Sequence, residues 1–380
     1  MEKEKIELFA QKRLPPPADA GRTGGGAVRI LALGMALFSV IFILCCVGVG
    51  LRAGEHGPDS IDPSKLGNLM ERVAAAMRSF PARDSTEETD GTNSQSPSPD
   101  TSAPTPTQKE LYAYDPSGIP AAHTPIRPYD MSLHSYGEDF IYNNTTYSPN
   151  TGALLALSTL PRIADTSSSP VVLIIHTHGT EAYSPEGSLS YDGVSTLARS
   201  ENTEENVVAV GRVMAAELNR LGVNTLHCEV MHDAQSYRDS YARSAATINE
   251  YLRKYPTIKY VFDVHRDSVT DSSGALLRPV TLANGHVAAQ VMCVVGSDAG
   301  GTSCPRWQEN LSFALRLRAG LNGDYGSLGR PVCLRTSAYN QQYAPVSLLL
   351  EVGASGNYLS EALEAGRLCA GVLARMIKGN

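Results

Sequence analysis

Along the chain, apolar residues fall into distinct patterns. Residues 30–51 (ILALGMALFSVIFILCCVGVGL) carry no charge and no proline. An unbroken apolar run of roughly 20 residues is long enough to cross a bilayer as a helix. The run exceeds the core of a cleavable leader, and no small-residue cleavage site follows it; it predicts an uncleaved anchor. Within 52–81, Leu66, Leu69, Met70, Val73 and Met77 recur at helical spacing and predict a short juxtamembrane helix. Residues 82–110 are rich in Ser, Thr, Pro and acidic side chains, a composition that buries too little surface to fold and reads as a disordered tether. A Tyr- and Pro-rich lead-in, 111–167, is expected to wrap the main domain as loop.

From residue 168 to 380 the pattern changes to alternation of strand and helix. VVLII (171–175), KYVFDV (259–264) and VSLLLEVG (346–353) are continuous apolar runs, as strands buried on both faces require. Between and after them, 205–221, 239–254 and 362–377 have helical periodicity, and a further strand is expected near Leu226. Strands alternating with helices predict an α/β domain, a mainly parallel sheet sandwiched by helices. In such sheets ligands bind at the carboxyl ends of the strands.

Charge adds orientation. Lys3, Lys5, Lys12, Arg13, Arg22 and Arg29 precede the apolar span, whereas Arg52, Lys65 and Arg72 follow it closely. Basic residues favour the cytoplasmic side, so 1–29 is expected inside, with the membrane-anchored chain beyond Arg52 outside. A net charge of −7, with no Lys/Arg run longer than two, excludes nucleic acid as the main partner. The seven cysteines form no CxxC pair and read as buried hydrophobes, not a zinc knuckle or disulfide framework.

The candidate chemistry lies where three apolar runs end. The first ends in His176-Thr177-His178-Gly179-Thr180-Glu181, the second in Asp263-Val264-His265-Arg266-Asp267, the third in Glu351-Val352-Gly353. Catalytic zinc favours three protein ligands, often two His and a carboxylate, with one position left for water. His178, Glu181 and His265 match that set. His176 is an alternative to His178, and Glu204 or Glu205 to Glu181. A separate carboxylate must move the water proton to the leaving group, and Glu351 is placed for that role. Arg266 and Asp267 would orient a ligand or bind a substrate carboxylate. Tyr237, Tyr241 and Arg243 are candidates for a substrate groove. His227, His232 and His286 read as structural or surface residues.

The stretches VLIIHTHGTEAYSP (172–185), ENVVAVG (205–211), HDAQSYRDSYARS (232–244), KYVFDVHRDS (259–268) and APVSLLLEVGASGN (344–357) together resemble the stage II sporulation protein P family. The resemblance implies an amidase-3-like fold and Zn2+-dependent cleavage of the N-acetylmuramoyl-L-alanine amide of peptidoglycan, with a second endopeptidase activity. It also implies stage II sporulation proteins D and M as partners in septal wall thinning and engulfment at the sporulation septum. Under it, the first-strand His, His265 and Glu351 are the catalytic core, and the family pattern would draw the second ligand from a helix start, Glu204 or Glu205.

Overall fold

The computed structural model describes residues 106–132, 140–157, 161, 163–192 and 199–379. The expected anchor, juxtamembrane helix and nearly all of the tether lie outside these residues. None of the described helices is long and apolar enough to cross a membrane.

In chain order the elements are α1 (Gln108–Leu111), β1 (Thr124–Tyr129), β2 (Ile141–Asn143), α2 (Thr151–Ala156), β3 (Val172–Ile175), β4 (Ser190–Tyr191), α3 (Val207–Arg220), β5 (Thr225–His227), α4 (Ser240–Lys254), β6 (Tyr260–Asp267), β7 (Leu276–Ala283), β8 (His286–Ala289), β9 (Val291–Gly296), α5 (Trp307–Tyr325), β10 (Val332–Arg335), β11 (Val346–Ala354) and α6 (Leu359–Lys378). Seven strands form one sheet in the order β2-β10-β9-β11-β6-β3-β5. Every neighbouring pair in it is parallel except β9 with β11. The sheet is therefore two parallel blocks meeting back to back, a mixed sheet whose pairings are mainly parallel. A second sheet, β4-β1-β7-β8, was not expected. It uses part of the lead-in, as does β2 at the edge of the large sheet, so the loop expected over 111–167 instead contributes strands. Their parallel partners, β7 for β1 and β10 for β2, lie more than a hundred residues downstream, where no local pattern reports them.

Side-chain alternation divides the large sheet into two chemically different faces. Val172 and Ile174, then Tyr260, Phe262 and Val264, Val291, Cys293 and Val295, Val332 and Leu334, and Val346, Leu348, Leu350 and Val352 all join one core cluster. That cluster includes Met214 and Leu218 of α3, Phe313 and Leu317 of α5, and Leu368 and Leu373 of α6. Phe262 stacks on Phe313 with ring centroids 6.2 Å apart. Gly366 lets α6 approach α3 closely, since a Cβ there would lie 3.0 Å from Val210 Cγ1. The other face carries Asp263, His265, Glu351 and Arg335, with a small apolar patch of Met292, Val294, Cys333 and Leu349 flanked by Tyr142 and Tyr339. On this side α4 packs beside β3, where Thr177 Oγ1 donates to Ser244 Oγ at 2.8 Å. The expected helical sandwich is thus full on one face and partial on the other. The described cysteines are free and buried.

Helix ends follow local chemistry. Asn206 caps α3 by accepting from the Val208 N–H at 2.9 Å, and Gly379 ends α6 in the left-handed region. Just past Glu351 the pairing of β11 with β6 is irregular. Gly353 there has φ 72°, and a Cβ would stand 2.9 Å from both Ala289 Cβ and Asn357 Oδ1. Gly353→Ala is expected to cost about 1–3 kcal/mol, read as a lower midpoint in urea unfolding.

Candidate functional site

The three polar strand ends converge because β3, β6 and β11 are adjacent and parallel. Ile175 pairs with Asp263, and Glu351 pairs with His265. Asp263, His265 and Glu351 share one face by alternation. After β3 the chain turns over residues 177–180, which brings His178 and Glu181 over that face.

His265 is at the centre. Its Nδ1 lies 3.3 Å from Glu181 Oε2, and its Nε2 lies 3.0 Å from Asp263 Oδ1. The second pair is close but is not aligned as a hydrogen bond, so Nε2 is a buried polar atom without a partner. The His178 ring stands edge-on to His265, centroids 5.3 Å apart. Glu351 Oε2 is also buried without a partner.

Electrostatics follow from burial and these neighbours. Burial works against charge on His265, but Asp263 and Glu181 outweigh it and hold the ring well above its usual range. His178 is pushed down to about 4 by burial and by His265. Burial alone would raise Glu181; the hydrogen bond and charge of His265 bring it down to about 2. Asp263, opposed by burial but favoured by His265, falls to about 2. Glu351 is pushed up to about 8, by burial first and then by Asp267.

Surrounding groups fix this cluster. Ser240 Oγ lies 3.3 Å from His178 Nδ1, and Asp233 Oδ2 lies 3.9 Å from it. Asp233 is itself held by Thr180 N–H at 3.0 Å, Thr180 Oγ1 at 2.6 Å and Arg199 at 2.6 Å. Tyr237 stacks on His178 at 4.3 Å and Tyr241 meets it edge-on. Arg266 is buried; its backbone N–H donates to Glu181 Oε2 at 3.2 Å and its Nε–H to Ala182 O at 2.9 Å. It thereby holds the segment bearing Glu181 in place. Asp267 pairs with Arg330 at 2.8 Å. Arg243 donates to backbone carbonyls of His232 and Arg238 and so supports the loop.

The other expected ligands lie elsewhere. His176 has the same parity as Val172 and Ile174, which turns it to the helical face. Its Nδ1 is 2.9 Å from Val264 O and its Nε2 is 2.8 Å from His227 Nε2, leaving no nitrogen for a metal. Glu204 pairs with Arg212, and Glu205 accepts from Ser200 and Asn202 at the surface. His227 and His232 are buried hydrogen-bonding groups, whereas His286 is exposed. Asp263 and Asp233 were missed as site residues. Asp263 could have been found, because it stands two residues before His265 on one strand; no local signal marks Asp233.

Among the described residues, no group of three or more His, Cys, Asp or Glu stands ready to hold a metal ion. The donor chemistry nevertheless fits one. Two imidazoles and Glu181 are in contact, His178 contacts its neighbours through Nδ1, and the charged His265 ring occupies the position between carboxylates that a cation would compensate. Binding would require His265 to lose its extra proton.

Fold and site together define an α/β protein with a buried histidine–carboxylate cluster at neighbouring strand ends. The chain belongs to the Stage II sporulation protein P (SpoIIP) family, whose pattern matches residues 70–374. It is 26% identical over 224 residues to Stage II sporulation protein P of Bacillus subtilis (strain 168), covering 56% of this chain and 52% of that protein, about half of its length. Among solved structures it is similar to the N-acetylmuramoyl-L-alanine amidase AmiC2 of Nostoc punctiforme (15% identity, 56% of this chain, 96% of that one, TM-score 0.33). It is also similar to the CwlD amidase of Clostridioides difficile in complex with the GerS lipoprotein (12% identity, 55% and 97%, TM-score 0.36).

Burial holds His227 neutral, its pKa well below the ordinary value. The unfolded chain, with a histidine pKa of about 6.5, then binds more protons than the folded one. Stability on this account is present above about pH 6.5 and lost as pH falls. His227→Gln is expected to flatten that loss by up to about 1.4 kcal/mol per pH unit, measured by thermal unfolding between pH 7 and 5.

Proposed function

We propose that this protein is a zinc-dependent peptidoglycan hydrolase that cleaves the amide between N-acetylmuramic acid and L-alanine. The observation carrying this reading is His265 held between Glu181 and Asp263, beside His178 and the partnerless buried carboxylate of Glu351. Membership of the Stage II sporulation protein P family supports the substrate and the sporulation setting. On this reading the apolar run 30–51 anchors the chain with its N-terminus in the cytoplasm. The head acts on septal wall outside the membrane, alongside stage II sporulation proteins D and M.

His178, Glu181 and His265 would hold the metal. Zinc held there would supply Lewis acidity and make a water molecule easier to ionise near neutral pH. Glu351 takes a proton from the attacking water and gives it to the leaving L-alanine amine. A carboxyl pushed up to about 8 is mostly protonated at neutral pH, and a bound cation would bring it down towards the ionised form a base needs. Arg266 keeps Glu181 in place, and Asp233 keeps His178 turned. Tyr237, exposed and stacked on His178, forms a wall against which substrate can lie.

Purified protein is expected to release whole stem peptides from murein, seen by mass spectrometry of the digest; shortened stems would instead mean carboxypeptidase action. Chelation or His265→Ala should abolish release, and persistence of full activity after either would sink the metal reading. Glu351→Gln should retain metal while kcat falls about 10²–10⁴-fold. Metal content after dialysis should drop in Glu181→Gln and stay unchanged in Glu204→Gln and Glu205→Gln; the reverse would move the carboxylate ligand to the start of α3.

A further inference from the structure

Arg335 ends β10 on the same face as Glu351. In register, Glu351 pairs with Met292 on β9, and Arg335 pairs with Gly296 on that strand. Its backbone is fixed, since its carbonyl accepts from Ser297 Oγ at 2.7 Å. Its side chain makes no hydrogen bond or ion pair with any described residue, and its Nε is buried without a partner. The guanidinium feels the charges of Asp267 and Glu351, with Cys333 and Tyr339 also within its electrostatic reach, and it is paired with neither carboxylate. Asp267 is already paired with Arg330, so it is not free to satisfy Arg335.

A half-buried guanidinium with an unmet donor is costly unless something else accepts from it. Its planar fork matches a carboxylate better than any other common group. The loop beside it is held in a demanding conformation. Tyr339 and Asn340 have φ 49° and 58°, and the Asn340 amide fastens the loop to α4 through Tyr241 O at 2.8 Å and Ser244 Oγ at 2.9 Å. Tyr339 also meets Tyr241 edge-on, centroids 5.7 Å apart. Aromatic side chains thus run from His178 through Tyr241 to Tyr339, along the face that ends at Arg335.

We infer that Arg335 is a substrate-binding residue that takes a carboxylate of an acidic peptide, a few residues from the bond cleaved beside Glu351. By register Arg335 lies two strand spacings across the sheet from Glu351, roughly 10 Å, and four residues along β9, roughly 13 Å, so its long side chain must cover part of the gap and a few residues of extended peptide the rest. This inference rests on the hydrolase reading for the location of the cleaved bond.

The test uses the full chain and two probes, N-acetylmuramoyl-L-alanyl-γ-D-glutamyl-diaminopimelate with free carboxylates and the same compound with every carboxyl amidated. Binding is measured by calorimetry and hydrolysis by product release. The wild type is expected to bind the acidic probe about tenfold or more tighter. Arg335→Gln should collapse that ratio towards one by raising KM for the acidic probe, and Arg335→Lys should restore part of it. Unchanged thermal unfolding of both variants would show that the fold persists. No preference in the wild type, or a preference kept in Arg335→Gln, overturns the assignment. Preference without hydrolysis would uphold the Arg335 site and refute the hydrolase; hydrolysis without preference would do the opposite.

Discussion

Burying several ionisable groups together at the ends of β3, β6 and β11 is the constraint from which the other features of the site follow. Glu181, Asp263 and Glu351 would repel one another if all were ionised in a place nearly closed to water. Two are stabilised as carboxylates by the charged ring of His265. The third, Glu351, is driven towards its neutral form. The outcome is one cation between two anions, next to a proton-bearing acid and a neutral imidazole at His178. Such a buried cluster is weak as a source of stability, because desolvation offsets most of the attraction. Its maintenance points to chemistry, since perturbed groups gather where reactions need them.

Supporting residues make that arrangement durable. Arg266 grips the segment bearing Glu181 by backbone and side chain, and Asp233 joins Thr180, Arg199 and His178 into one connected group. On the opposite face, His176 and His227 use their nitrogens on each other and on Val264, close against Gly211, where a Cβ would come within 2.5 Å of the His176 ring. Histidines of one short motif therefore have opposite duties. His176 locks β3 to the helical core, and His178 enters the cluster.

That contrast shows how far a sequence can be read. The three buried strands and their polar ends were legible because apolar runs terminate abruptly, and adjacency of β3, β6 and β11 follows once the sheet is parallel there. Parity along β3 and β6 carried more than was used: it sends His176 to the helices and Asp263 to the side of His265. Other parts had no local trace. The reversal between β11 and β9, the small second sheet and the strands within the lead-in all depend on partners far away in the chain. Asp233 and Tyr339 reach the site through loops, whose direction no periodicity encodes.

The two faces of the large sheet explain why the chemistry sits where it does. One face is sealed by α3, α5 and α6 and carries almost only apolar side chains, so it can offer a substrate nothing but rigidity. The other is covered by α4 near β3 and β5, and by the 336–343 loop near β10. Between these covers lie the carboxyl ends of β6 and β11, with polar groups at their tips and half-buried tyrosines along the margins. A polar, extended chain could lie there across the strands, its ends set by His178 on one side and Arg335 on the other. The same alternation that builds the apolar core thus leaves its complement, every second residue, free to form a groove.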